Sequence, residues 1–138
     1  MVYDITMDSG TKPRSRPIVV TVASDREPVE CAGEFAEKAG GFVLRFCMGD
    51  DDFTVEHDKS GTRVSARGVM SYEIFLCDGD TETLLATPYG KMRFTVTPTG
   101  RDITLTETGV EIKLAYILSS QATGQMERAV ELSARFSQ

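Results

Sequence analysis

Residues 109–118 read GVEIKLAYIL, and the character of the side chains changes at almost every step. Val110, Ile112, Leu114, Tyr116 and Leu118 fall on one side, with Glu111, Lys113, Ala115 and Ile117 on the other. A period of two marks a strand with one buried face, because successive side chains of an extended chain point to opposite faces. Helical winding would instead scatter these apolar residues around the axis. This is the longest alternation in the chain, and it is expected to be a strand.

The stretch TPYGKMRFTVTPTG (87–100) repeats the pattern between two turn signals. Pro88 fixes its own φ and Gly90 is free to take a conformation closed to other residues, so the two define where a strand begins. Met92, Phe94 and Val96 then face inward, with Lys91, Arg93, Thr95 and Thr97 outward. Pro98-Thr99-Gly100 is expected to turn the chain into a separate short strand containing Ile103 and Leu105.

Working outward, residues 1–16 read as a polar, turn-rich arm that ends at Pro13 and Pro17, and residues 17–138 as one β-domain. Because the arm lacks the alternation of the later segments, it is expected to be dispensable for folding. Ile18, Val20 and Val22 share a face. Cys31, Gly33 and Phe35 alternate with charged or small residues, and Phe42, Leu44, Phe46 and Met48 follow Gly40-Gly41. Phe53 and Val55 pair with Val64 and Ala66 in a hairpin whose turn is HDKSG (57–61). Gly68 is expected to mark a bulge or sharp bend within a continuous strand running to Leu76. The Asp-Gly signal of CDGDTE (77–82) leads into TLLATP (83–88). The C-terminal segment fits a helix through Met126, Ala129, Val130 and Ser133, or a strand through Val130, Leu132, Ala134 and Phe136. Strand is preferred, because it places both Leu132 and Phe136 on the apolar face.

The count is nine or ten strands with no helix in the body. Each strand is half polar, which points to antiparallel sheets with one wet face. Such a chain protects its edges either in a sandwich or by closing into a barrel, and the alternation alone does not choose between them.

With 138 residues, 41% hydrophobic and 26% charged, the chain is long enough for one well-buried core. The net charge of −6 disfavours binding to nucleic acid, which relies on clustered Lys and Arg. No segment approaches the ~20 apolar residues of a membrane helix, and residues 1–16 lack the apolar core of a signal peptide. Cys31, Cys47 and Cys77 are odd in number and form no CxxC pair, so free thiols and a cytoplasmic location are expected.

Catalytic and cofactor motifs do not assemble. The single histidine, His57, falls in the HDKSG turn and is expected to be exposed, and no GxSxG elbow is present. The acidic stretches GDDDFTVEHD (49–58) and CDGDTE lack the spacing of a calcium loop and read as solvated turns. No metal or cofactor is expected, and an enzyme is the least supported class. Phe94 follows Lys91 and Arg93, the kind of interleaving a nucleic-acid platform uses, but it shares its side with Met92 and Val96 and reads as core.

The motifs VSARG (64–68), TPYG (87–90) and GVEIKLAYIL, in their order and spacing, resemble the YwiB-like proteins, a bacterial family of unknown function. The resemblance runs from about Pro17 to Phe136. It implies a lipocalin-like (calycin-type) antiparallel β-barrel of about 8–10 strands, and it supplies no catalytic residue. In that frame Arg67 belongs to the family's Arg-containing strand, Tyr89 to the turn before the long hairpin, and Tyr116 to the long strand.

A barrel of this size holds either packed side chains or one small ligand. The candidate lining is Phe42, Leu44, Phe46, Met92, Phe94, Ile112, Leu114, Tyr116 and Leu132. The candidate ligand contacts are Arg67, Tyr89, Phe94, Tyr116 and Arg128. Arg67 points outward unless a bulge reverses it. Arg128 shares a side with Val130 and Leu132, so it either snorkels from the rim or anchors an anionic group. Two functions remain open: a binding module for a small apolar or amphipathic molecule, or a protein-interaction module with a solid core.

Overall fold

The structure, a computed structural model, describes residues 15–23 and 27–137. Ten strands follow one another: β1 (Ser15–Val22), β2 (Val29–Lys38), β3 (Gly41–Met48), β4 (Asp51–Asp58), β5 (Gly61–Arg67), β6 (Tyr72–Leu76), β7 (Thr81–Thr87), β8 (Gly90–Leu105), β9 (Gly109–Ser120) and β10 (Gly124–Phe136). They form one antiparallel sheet in the order β6-β5-β4-β3-β2-β1-β10-β9-β8-β7. The two edge strands meet where Ser71 and Ala86 exchange backbone hydrogen bonds of 2.9 and 2.8 Å. That contact decides the question left by the alternation: the sheet curls into a nearly closed barrel.

One face of every strand fills the interior. Ile18, Val20, Phe42, Leu44, Val55, Ile112 and Leu114 are almost wholly buried, as the period-two pattern requires. Each such side chain contributes ~1.5–3 kcal/mol on leaving water. Aromatic rings pack through the middle: Phe35 stacks on Phe42 at 5.4 Å between ring centroids and meets the edge of Phe136 at 5.0 Å. The C-terminal segment is strand β10, paired throughout with β9. Gly90 has φ +134°, a conformation that L side chains rarely adopt, and it opens β8 as the sequence requires.

Five expectations are corrected. The chain does not turn at Pro98–Gly100; β8 runs on to Leu105, and Thr99 is the extra residue of a bulge between the pairs Pro98–Tyr116 and Gly100–Ala115. A bulge absorbs one residue and reverses which parity faces inward, so Arg101 and Ile103 come opposite the buried Leu114 and Ile112. Gly68 does not lie within a strand: β5 ends at Arg67, and the chain reverses over residues 68–71 to pair β6 back onto β5. The missing side chain of Gly68 leaves room for the Asp51 carboxylate. Met92 is not lining; it is 36% exposed, past the end of the core. His57 is not in a turn but in β4, half-buried, with its ring 5.6 Å from that of Phe42.

Finally, β1 begins at Ser15, two residues before the expected start of the β-domain at Pro17. Arg16 pairs with Phe35 in register and lies 3.8 Å over the Phe136 ring. Residues 1–14 of the arm lie outside the described residues. Cys31, Cys47 and Cys77 are all free.

Candidate functional site

Successive hairpins give the barrel two ends. The turns after β2, β4, β6 and β8 gather at one end, called lower, and those after β1, β3, β5, β7 and β9 at the other, called upper.

The upper end opens into an apolar cup of about 150 Å³ whose walls include Val22, Met48, Phe53, Tyr72, Val130 and Leu132. Phe46 and Phe53, stacked at 5.3 Å, belong to its lining, and beyond them the interior is filled by the core. A larger hollow of about 580 Å³ is an open trough on the outer face of β2–β5, bordered by Glu34, Arg45, Cys47, Asp52 and Arg67. It is the bigger space but the poorer site, since its polar walls are already in water. The Cys47 thiol donates to Asp52 at 2.9 Å there, and this bond to a carboxylate, with a smaller contribution from local desolvation, holds the exposed thiol above its ordinary pKa.

Tyr72 and Glu131 are the polar residues of the cup's lining, and two further polar groups act on Tyr72 from nearby. In the β9–β10 ladder Arg128 stands opposite Tyr116, both on the inward parity of Val130 and Leu132. Tyr116 is buried, whereas Arg128 is exposed at the mouth. Burial, helped by Tyr72 and opposed by the Arg128 guanidinium, leaves the Tyr116 phenol pushed up to about 12. Burial also raises Tyr72, against the pull of Arg128 and with the help of Asp51. The phenols are therefore neutral donors at ordinary pH, and neither has a protein hydrogen-bond partner among the described residues. A guanidinium and two neutral phenols beside an apolar cup can hold an acceptor or an anion; they are not arranged as nucleophile and base.

Of the five residues singled out from sequence, Tyr116 and Arg128 come together. Phe94 is buried in the wall beneath Thr83 and does not line the cup. Arg67 lies on the outer face, in the trough. Tyr89 stands fully exposed at the tip of the β7–β8 hairpin. The residue that sequence reasoning missed is Tyr72. Its signal was present in YEIFL (72–76), where Tyr72 shares the parity of the buried Ile74 and Leu76.

At the lower end His57 Nδ1 is 2.9 Å from Thr62 Oγ1, and burial, with the positive charge of Arg101, lowers its pKa. Arg101 Nη1 donates to the Leu76 carbonyl at 2.6 Å. No group of His, Cys, Asp and Glu suited to a metal ion occurs among the described residues, and no helix among them is long and apolar enough to cross a membrane.

Fold and site together define a small antiparallel barrel, filled through its middle and hollow at one mouth. The chain belongs to the DUF1934 family, described as a domain of unknown function, whose model matches residues 22–132. The crystal structure of the ywiB protein from Bacillus subtilis has the same fold, with a TM-score of 0.68 over 90% of this chain and 94% of that one. The two are 13% identical, so the likeness shows the fold alone. No curated protein matches the chain. The barrel is thus YwiB-like, as the motifs implied.

Proposed function

We propose that the barrel is a non-enzymatic binding module whose upper cup receives the apolar end of a small amphipathic molecule. The observation that carries this is a largely apolar cup with Tyr72 in its wall and Glu131 at its border, and with the Arg128–Tyr116 pair close enough to Tyr72 to act on its charge. Sites for drug-sized ligands usually span ~300–1,000 Å³. A cup of about 150 Å³ is smaller, so it takes a short chain or one ring, and the rest of the ligand stays at the mouth. Arg128 would meet its acidic or polar end. Native mass spectrometry of the protein purified from its own host tests this. A retained small molecule, lost when Val130→Trp fills the cup, is the expected result. The bare mass of the native chain, with no retained molecule, sinks the reading.

A second reading is a protein-interaction module. It is favoured by the filled interior and by large apolar side chains on the outside, among them Val69, Met70, Leu84 and Tyr89, exposed by 72, 52, 44 and 100%. Both readings place the protein in the cytoplasm, supported by its three free thiols. Neither gives it a nucleic-acid partner or a membrane role, in keeping with its net charge of −6.

A further inference from the structure

Every neighbouring pair of strands is joined by a continuous backbone ladder except β6 and β7. There the Ser71–Ala86 bridge is followed by side chains in place of backbone. Thr83 Oγ1 donates to the Glu73 carbonyl at 2.6 Å, and Thr81 Oγ1 to the Phe75 carbonyl at 2.8 Å.

In an antiparallel strand alternate residues send both N–H and C=O to the same neighbour. Ser71 and Ala86 set the phase, so Glu73 and Phe75 on β6, and Glu82 and Leu84 on β7, point their backbone groups into the seam. The two carbonyls on β6 are capped by threonine. Beyond the Ser71–Ala86 bridge no ladder joins the amides of Glu73 and Phe75 to the backbone groups of Glu82 and Leu84 among the described residues. Two facing edges therefore offer donors and acceptors at ladder spacing, a template for a further strand.

The surroundings suit a polypeptide. A hollow of about 330 Å³ lies on the outer side of the seam, lined by Ser65, Arg67, Ser71, Tyr72, Glu73 and Leu84. Leu84 is 44% exposed, and Val69 and Met70, in the turn between β5 and β6, are more exposed still. Arg67 makes no ion pair among the described residues.

We propose that the β6–β7 seam is a strand-accepting slot, which opens to take one extended peptide segment of a partner protein as an added strand. The peptide backbone replaces the threonine hydroxyls on β6 and pairs the seam-facing groups of β7. Its outward side chains rest on Leu84, Val69 and Met70. Main-chain pairing supplies affinity in this mode, and the pockets for alternate side chains supply selectivity. The proposal makes the second reading specific and rests on it in requiring a polypeptide partner; it asks nothing of the cup.

The test pans the full-length protein against displayed random peptides of about seven residues, the length of an ordinary strand. Enriched peptides should alternate apolar with polar residues and, when bound, slow exchange of the Glu73, Phe75, Glu82 and Leu84 amides by about tenfold or more. Methylating alternate peptide nitrogens should weaken binding about tenfold or more, since it removes the donors of an added strand. Leu84→Arg, on the outer face, should weaken it comparably while leaving the melting temperature unchanged. Absence of any enriched peptide overturns the proposal. Protection at other amides, such as those bordering the cup, overturns it too. Retention of a small molecule in the cup is unaffected by either result, so the two ideas fail separately.

Discussion

At the lower end of the barrel each polar side chain that enters the interior is tied down. His57 meets Thr62 at 2.9 Å, and Arg101 meets the Leu76 carbonyl at 2.6 Å. On the adjoining outer face Lys38 bridges Glu56 and Asp58 at 2.9 and 2.8 Å, and Ser60 closes the turn on Asp58 through both its amide and its hydroxyl. Toward the upper end Tyr72, in the wall of the cup, and the buried Tyr116 have no protein hydrogen-bond partner among the described residues, and the exposed Arg128 acts on both. Neither phenol oxygen is among the buried side-chain atoms left without a partner, so both remain within reach of solvent or of a ligand. The difference teaches that the lower end is a plug built for stability, whereas the upper end keeps its hydrogen-bonding capacity for something outside the chain.

If that contrast is right, stability resides below. Phe42 is 2% exposed, stacked on Phe35 and beside His57. Phe42→Ala should cost ~3–5 kcal/mol, through lost transfer energy and the cavity left behind. Denaturant melts measure it, and a cost below ~1 kcal/mol would mean that the lower end is not the anchor. Arg101→Met is the next largest. It removes a charged donor from the Leu76 carbonyl while keeping the aliphatic stem, and should cost ~1.5–3 kcal/mol, the range for hydrogen bonds to charged groups.

The pH dependence of the lower end comes next. The folded-state pKa of His57 lies below its ordinary 6.5. Between those two values the unfolded chain binds a proton that the folded one refuses, so stability is full above 6.5 and declines as the pH falls below it. Asp58 is also depressed, chiefly by Lys38, but its loss begins only below its ordinary 3.8. Melting temperature measured from about pH 7.5 down to about 5 should therefore fall with a slope that His57→Asn flattens. An unchanged slope in the variant would assign the titration elsewhere.

How much of this was legible depends on whether the information is local. The alternations of GVEIKLAYIL and of residues 41–48 are local, and they became β9 and β3 with the expected faces inward. Leu132 and Phe136 likewise picked strand over helix for β10. The bulge at Thr99 was hidden because Pro-Thr-Gly has the composition of a turn, and only the ladder with β9 carries the chain straight through. His57 was misread for a similar reason: HDKSG reads as five turn residues, yet Lys59 and Ser60 suffice for the reversal. Arg128 and Tyr116 could be placed on an apolar face by parity. Their company with Tyr72 could not, since it arises only when β6 is carried around the barrel by closure. The half-paired seam is likewise a property of closure and leaves no mark in any single segment.

The smallest effect expected is the sharpest probe of the upper end. Arg128 is exposed and makes no ion pair among the described residues, so Arg128→Ala should change stability by no more than ~0.5 kcal/mol. Its charge is nevertheless felt by both phenols, favouring their ionised forms. Removing it should move the Tyr116 titration above its value of about 12, and that of Tyr72 upward as well, read from phenolate absorbance with Tyr116→Phe and Tyr72→Phe as references. A structural Arg128 would give the opposite pattern, a clear loss of stability with the phenols unmoved. In that event the guanidinium would be a support for the β9–β10 ladder, and the cup would have no charged group to hold a ligand's polar end.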